Sequence, residues 1–235
     1  MAHHQIEDRL KKVRGEITQA ALRVGRDPNE VVLLAASKQQ TRAIISDAIK
    51  VGLTHVGENQ VQEAESKFGD GYINPASVEL HLIGSLQSNK VRRAVTLFSV
   101  IQSVDSINLA KKIESTANEI GKQIHVYVEV NLDSEVSKSG MNPDQLPEVA
   151  RYISECQNLI LDGLMAIPPY REDPSEVRPF FRGLRNLRDE LLHDGPYKGG
   201  ELGLSMGMSH DYPIAVEEGA TIVRVGRAIW QGDES

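Results

Sequence analysis

Three groups of residues in this chain have the types and spacing to do chemistry. The first is Lys38, which closes the apolar run Val31-Val32-Leu33-Leu34-Ala35-Ala36-Ser37. An amine held where a buried strand ends loses hydration, which disfavours its ammonium form and leaves a nucleophile able to condense with an aldehyde. The same placement also suits an ordinary lysine reaching solvent along its stem. The second group is a pair of turns, Ser205-Met206-Gly207-Met208-Ser209 and Arg224-Val225-Gly226-Arg227. Their small or flexible residues let a backbone approach a ligand closely. Their amides, the Ser205 and Ser209 hydroxyls and the helix start near Pro213 together suit a phosphate dianion. Arg224 is the third. Strand alternation points it opposite to Val223 and Val225, into the mouth of the fold. A buried guanidinium there needs an acceptor, either a ligand or a carboxylate such as Glu58.

The elements that must position these groups recur as apolar, β-branched runs followed by helical patterns. The runs are Val31–Ser37, Thr54–Gly57, Glu79–Gly84, Phe98–Val104, His125–Leu132, Leu159–Ile167, Leu202–Met206 and Ile222–Gly226. Strands alternating with helical crossovers predict an α/β protein built as a single (β/α)8 TIM-like barrel, with an open doubly wound sheet as the alternative. Ile6, Leu10, Val13, Ile17, Ala20, Ala21 and Val24 form one apolar stripe on an extra N-terminal helix over residues 5–24, which Gly25 and Pro28 end. The barrel is expected over residues 31–230 of one domain spanning 1–235. Further helices are expected over Pro143–Cys156 and Glu172–Leu192, the second after a loop carrying Pro168 and Pro169. The site of such a barrel lies at the carboxyl ends of its strands. That rule collects Lys38, Glu58 with Asn59, Ser85 with residues 87–90, Asn131 with Lys138-Ser139-Gly140, and the segment Met165-Ala166-Ile167-Pro168, apolar enough to press on a flat ring.

A net charge of −7 spread through helical stretches argues against a nucleic-acid backbone as partner. Cys156 is the single cysteine, which excludes an intrachain disulfide and a cysteine-rich metal site, fits a reducing compartment, and reads as a packed side chain rather than a nucleophile. No run approaches the ~18 apolar residues of a membrane span, and the first residues lack a signal-peptide core. A soluble, cytoplasmic chain with no membrane partner is therefore expected. No metal-binding histidine spacing, Walker loop or dinucleotide fingerprint occurs.

Six motifs in order carry a resemblance: Leu34-Ala35-Ala36-Ser37-Lys38, residues 57–63 (Gly57-Glu58-Asn59-Gln60-Val61-Gln62-Glu63), residues 81–90 from His81 to Lys90, Gly163-Leu164-Met165-Ala166-Ile167, residues 204–209, and Val223-Arg224-Val225-Gly226. With them the chain resembles the pyridoxal 5′-phosphate homeostasis protein family, whose fold is similar to the amino-terminal barrel of bacterial alanine racemase. The resemblance implies pyridoxal 5′-phosphate as cofactor, held by Lys38 as a Schiff base. Ser205, Ser209 and the amides around Met206 and Gly226 would hold its phosphate, Arg224 would face the pyridine nitrogen, and Asn59 and Met165 would lie beside the ring. Arg227 departs from the small hydroxyl residue many members carry there, which removes a side-chain contact and offers a guanidinium instead. Alanine racemase has a further β-domain that supplies a catalytic tyrosine, and no counterpart is expected after Gly226. The implied function is a non-catalytic, monomeric binding protein that regulates free cofactor and amino-acid pools, with apo-enzymes that need the cofactor as candidate partners. The alternatives are a cofactor-dependent amino-acid racemase and a Schiff-base aldolase acting through Lys38.

Overall fold

The computed structural model describes residues 2–74, 77–133, 139–193, 195, 197 and 199–231. Eight parallel strands close into a barrel in chain order: β1 (Val32–Ala36), β2 (His55–Glu58), β3 (Glu79–Leu82), β4 (Val100–Val104), β5 (Ile124–Glu129), β6 (Leu159–Met165), β7 (Gly203–Met208) and β8 (Ile222–Val225), with β8 pairing back on β1. The doubly wound alternative is thereby excluded. Each expected strand exists, with ends trimmed or extended where the ladder dictates. The fifth run stops at Glu129, the last residue in register with β6; Val130 still donates its N–H to Met165 O at 2.8 Å, but its bridge is to Met141.

Helix α1 (Ala2–Arg23) precedes the barrel, and α2 (Arg42–Lys50), α3 (Val61–Phe68), α4 (Val91–Leu97), α5 (Ile107–Ile120), α6 (Leu146–Ser154), α7 (Arg178–His193), α8 (Tyr212–Glu217) and α9 (Arg227–Trp230) follow the strands. The stripe from Ile6 to Ala21 is fully buried on α1, which packs against α2, α8 and α9. Each large aliphatic side chain on that stripe contributes about 1.5–3 kcal/mol of burial. Val24 does not belong to it: the helix ends at Arg23, Gly25 turns the chain in the left-handed region at φ +73°, and Val24 is exposed.

Two other helices start later than their sequence patterns suggest, because a proline and an Asx cap first build a tight 3-10 turn. Pro143–Gln145 precedes α6 under the Asn142 side chain, and Pro174–Val177 precedes α7 under that of Asp173. Cys156 lies just past α6, where its thiol donates to Tyr152 O and burial pushes it up to about 11, well away from a nucleophilic thiolate. No helix among the described residues is long and apolar enough to cross a membrane.

Alternation sorts the strand residues into two layers. Leu33, Ala35, Val56, Leu80, Leu82, Val126, Val128, Leu204, Met206, Val223 and Val225 face the helices in the main core. Leu34, Val100, Tyr127, Met165 and Ile222 fill the barrel interior. Above and among this inner layer stand polar residues on inward positions, and they lead to the site.

Candidate functional site

The strand ends open on a cavity of about 630 Å³ lined by Ala36, Lys38, Gln39 and Asn59, by Ile83, by residues 167–171 after β6, and by residues 208–211, Arg224, Gly226 and Arg227 at the ends of β7 and β8. Trp230 of α9 closes one side, and its indole N–H donates to Ala36 O at 2.7 Å. Gly84 admits the close approach of the Asn59 backbone, since a Cβ there would stand 2.2 Å from Asn59 O.

Lys38 is exposed on this cavity. The expectation of an amine dehydrated by the core is therefore corrected: burial along β1 stops at Ser37, one residue earlier. What fixes the lysine is its two neighbours. The Ser37 N–H donates to Gly57 O at 2.9 Å, and its hydroxyl donates to Glu58 Oε1 at 2.5 Å. Lys67 of α3, buried, donates from Nζ to Ser37 O (2.8 Å), Glu58 Oε1 (2.7 Å) and Glu63 Oε1 (2.8 Å). Glu63 Oε1 also accepts the Gln39 N–H at 2.7 Å. Gln39 sits at φ +64°, a conformation costly for a residue with a side chain, and the Glu63 contact offsets part of that strain. The peptide carrying Lys38 is thus clamped on both sides.

Glu58 belongs to this clamp and not to the mouth. It is the last residue of β2, faces out toward α3 and is fully buried, and burial pushes its carboxyl up while Lys67 and Ser37 oppose the rise. Its Oε2 is the one buried side-chain oxygen or nitrogen without a partner among the described residues. Glu58 is accordingly unable to serve as the acceptor for Arg224.

Arg224 does point inward, as the flanking valines require, and is 4% exposed. Nη1 donates to Ser205 Oγ at 2.8 Å and Nη2 to Ala166 O at 2.9 Å, so two of the guanidinium's five N–H groups are engaged by neighbours. Burial pushes it down to about 10, against the attraction of Glu129 and Asp211, and it stays protonated at neutral pH. Glu129, at the inner end of β5, is pushed up to about 7 by burial, with Arg224 opposing and Asp105 adding to the rise. The arginine is a buried cation with no ion pair in contact among the described residues, facing the cavity.

Parts of both turns line this cavity, Met208 and Ser209 from the first and Arg224, Gly226 and Arg227 from the second. Gly207, at φ +92°, holds the β7 turn in the left-handed region beside Tyr212. Ser209 Oγ accepts the Gly226 N–H at 3.1 Å, which leaves the hydroxyl proton to donate elsewhere. Arg227 is exposed on the same wall and opens α9, whose first amides have no acceptor within the helix. Asp211 accepts the Met208 N–H at 2.6 Å and pins the β7 turn.

Four of the sequence candidates stand away from the wall. Ser205 is fully buried below the cavity, where its hydroxyl supports Arg224. Met206 faces the helices and Met165 fills the barrel interior, leaving Ile167 and Pro168 as the apolar surface of the β6 loop on the cavity. Ser85 bonds Ser139 outside the cavity wall, and Lys138 lies outside the described residues. Residues the sequence reading missed are Tyr170, His210, Asp211 and Trp230 on the wall, and His81, Gln102 and Glu129 beneath it. The last three could have been found as polar residues on inward strand positions.

A closed parallel barrel with a leading helix, an amine after β1, a buried arginine on β8 and donor-rich turns after β7 and β8 define a class, and the family model for the alanine racemase N-terminal domain matches residues 23–233. At that level the fold and the site agree. A pyridoxal phosphate homeostasis protein of Aquifex aeolicus (strain VF5) is 42% identical over 223 residues, covering 95% of this chain and 96% of that one. A crystal structure of a protein from Bifidobacterium adolescentis superposes with a TM-score of 0.90 at 36% identity over 97% of this chain and 96% of its own. PipY of Synechococcus elongatus, solved with pyridoxal phosphate bound, gives a TM-score of 0.82 at 36% identity over 96% of this chain and the whole of its own. The chain belongs to the pyridoxal phosphate homeostasis protein family.

Proposed function

We propose that this chain binds pyridoxal 5′-phosphate at the barrel mouth and serves to hold the cofactor rather than to turn over a substrate. The observation that carries the reading is the convergence of Lys38, Arg224, Ser209 and Arg227 on one cavity. The donor set fits. Lys38 Nζ has no hydrogen-bond partner among the described residues and is available to an aldehyde. Ser209, Arg227 and the first amides of α9 would take a phosphate, and the free N–H groups of Arg224 would take a ring nitrogen. Asn59 and Ile167 would flank the ring. When bound, the cofactor supplies an electrophilic aldehyde and a ring that can accept electrons.

Holding rather than turnover is supported by the character of Arg224. A guanidinium that remains protonated donates to a ring nitrogen and leaves no proton on it, which weakens the ring as an electron sink. The names of the curated relatives point the same way. A racemase would need a second base across the ring from Lys38, and an assay over a panel of amino acids distinguishes the two readings.

Parallel absorbance titrations with pyridoxal 5′-phosphate and unphosphorylated pyridoxal test the binding site. Both aldehydes can condense with Lys38, but one alone engages Ser209, Arg227 and the first amides of α9. Several charge-assisted hydrogen bonds, after desolvation, give an expected preference of at least about two decades. Equal affinities would mean that these turns are no phosphate site.

A further inference from the structure

Ser205 opens a chain of hydrogen bonds that crosses the barrel interior from mouth to floor. Arg224 Nη1 donates to Ser205 Oγ (2.8 Å), Ser205 Oγ to Gln102 Oε1 (2.6 Å), Gln102 Nε2 to His81 Nδ1 (2.8 Å) and His81 Nε2 to Glu79 Oε1 (2.9 Å). Ser205 and Gln102 are fully buried, and His81 is 1% exposed. The direction follows from donor chemistry. A guanidinium can only donate, so Ser205 must pass its own proton on to the Gln102 carbonyl. The Gln102 amide then faces His81 with its NH₂ group, which makes Nδ1 the acceptor and puts the imidazole proton on Nε2, toward the Glu79 carboxylate. Every donor in the chain points away from the cavity and toward a half-exposed carboxylate at the start of β3.

We propose that Gln102 and His81 are positioning residues for Arg224, holding its guanidinium through Ser205 so that its remaining N–H groups face the cavity. Among the described residues no carboxylate lies within ion-pair distance of Arg224, and besides this chain its only other protein hydrogen bond there goes to Ala166 O. A long side chain tied at two points by neutral acceptors keeps one rotamer only while those acceptors are themselves fixed. Ser205 by itself is a free rotor, and Gln102 stops it. His81 in turn fixes the Gln102 amide, and Glu79 fixes the imidazole tautomer.

The part of this inference that concerns the ring nitrogen rests on the proposed cofactor site, so the test has one arm that needs no cofactor. In ¹H–¹⁵N spectra of the full chain, the Arg224 Nε–H signal, assigned by its loss in Arg224→Gln, should exchange slowly with solvent. In Gln102→Leu and in Ser205→Ala the exchange should accelerate by roughly tenfold or more, as local opening becomes easier. Ser205→Ala, a small change, serves should Gln102→Leu fail to fold. Unchanged exchange in the folded variants overturns the proposal.

The second arm is a double-mutant cycle read by affinity for pyridoxal 5′-phosphate. Gln102→Leu should weaken binding about threefold to tenfold when Arg224 is present, and less than about twofold in the Arg224→Gln background, because its effect runs through the arginine. The single variant should leave affinity unchanged for the analogue with carbon in place of the ring nitrogen. Equal losses in both backgrounds would reduce Gln102 to a packing role. A wild-type chain that binds no pyridoxal 5′-phosphate would refute the proposed function, while the exchange arm would still decide the positioning role.

Discussion

Replacing Glu129 with glutamine should abolish a pH-dependent loss of stability in this protein. The residue is 3% exposed at the inner end of β5, and burial raises its carboxyl from an ordinary 4.5 to about 7, with Arg224 opposing. Each tenfold change in proton affinity is worth about 1.36 kcal/mol, so ionising Glu129 in the folded chain costs about 3 kcal/mol. A carboxyl raised on folding binds more protons in the native than in the unfolded state between those two values, so stability falls as pH rises through the window. Below pH 5 the side chain is protonated in the native state and glutamine is a near-neutral mimic. By pH 8 the wild type carries nearly the full cost and the variant carries none. Urea unfolding of both chains from pH 5 to 8 should therefore show Glu129→Gln gaining about 2–3 kcal/mol relative to wild type across that range. A difference that stays flat with pH, or one that grows in the opposite sense, would mean that Arg224 already compensates the buried charge and that the carboxylate is ionised throughout.

Three further outcomes follow from the site. Lys67→Met should destabilise the fold by about 3–5 kcal/mol, because it leaves the Glu58 carboxylate buried without its cation; a loss under about 1 kcal/mol in urea unfolding would show that Glu58 is protonated and needs no partner. Arg224→Gln should weaken pyridoxal 5′-phosphate binding by roughly one to two decades, the worth of a charged hydrogen bond, and an unchanged titration would leave Arg224 a purely structural residue. Ser209→Ala should narrow the preference for the phosphorylated aldehyde, whereas Ser205→Ala should weaken both aldehydes alike, since Ser205 touches Arg224 and not the turn; the reverse pattern in paired titrations would return Ser205 to the phosphate.

The barrel was legible because its strands carry the plainest signal a sequence can hold, apolar runs alternating with helical stripes. Lys38, Arg224 and Ser209 were legible for a related reason: each sits where a run ends, and strand ends of one barrel face one mouth. The failures are equally physical. Ser205 and Ser209 read as a pair because they share one motif, but the register between β7 and β8 shifts between Ser205 and Met208, and the shift leaves Ser205 within the barrel while Ser209 reaches the rim. Glu58 read as a mouth residue because a short run hid that the strand continues through it, which turns its side chain outward. The clamp on Lys38 depends on Lys67, a residue brought to Ser37 by helix packing across 30 positions, and no local pattern announces such a contact.

The central claim, that Lys38 is the covalent anchor of the cofactor, is tested most directly by borohydride trapping. The purified chain is incubated with pyridoxal 5′-phosphate, reduced, digested and mapped by mass spectrometry, alongside Lys38→Ala. The account predicts a reduced pyridoxyl-phosphate adduct on the peptide containing Lys38 in the wild type, and no adduct in the variant, which should remain folded because the side chain is exposed. An adduct on another lysine with Lys38 unmodified would contradict it.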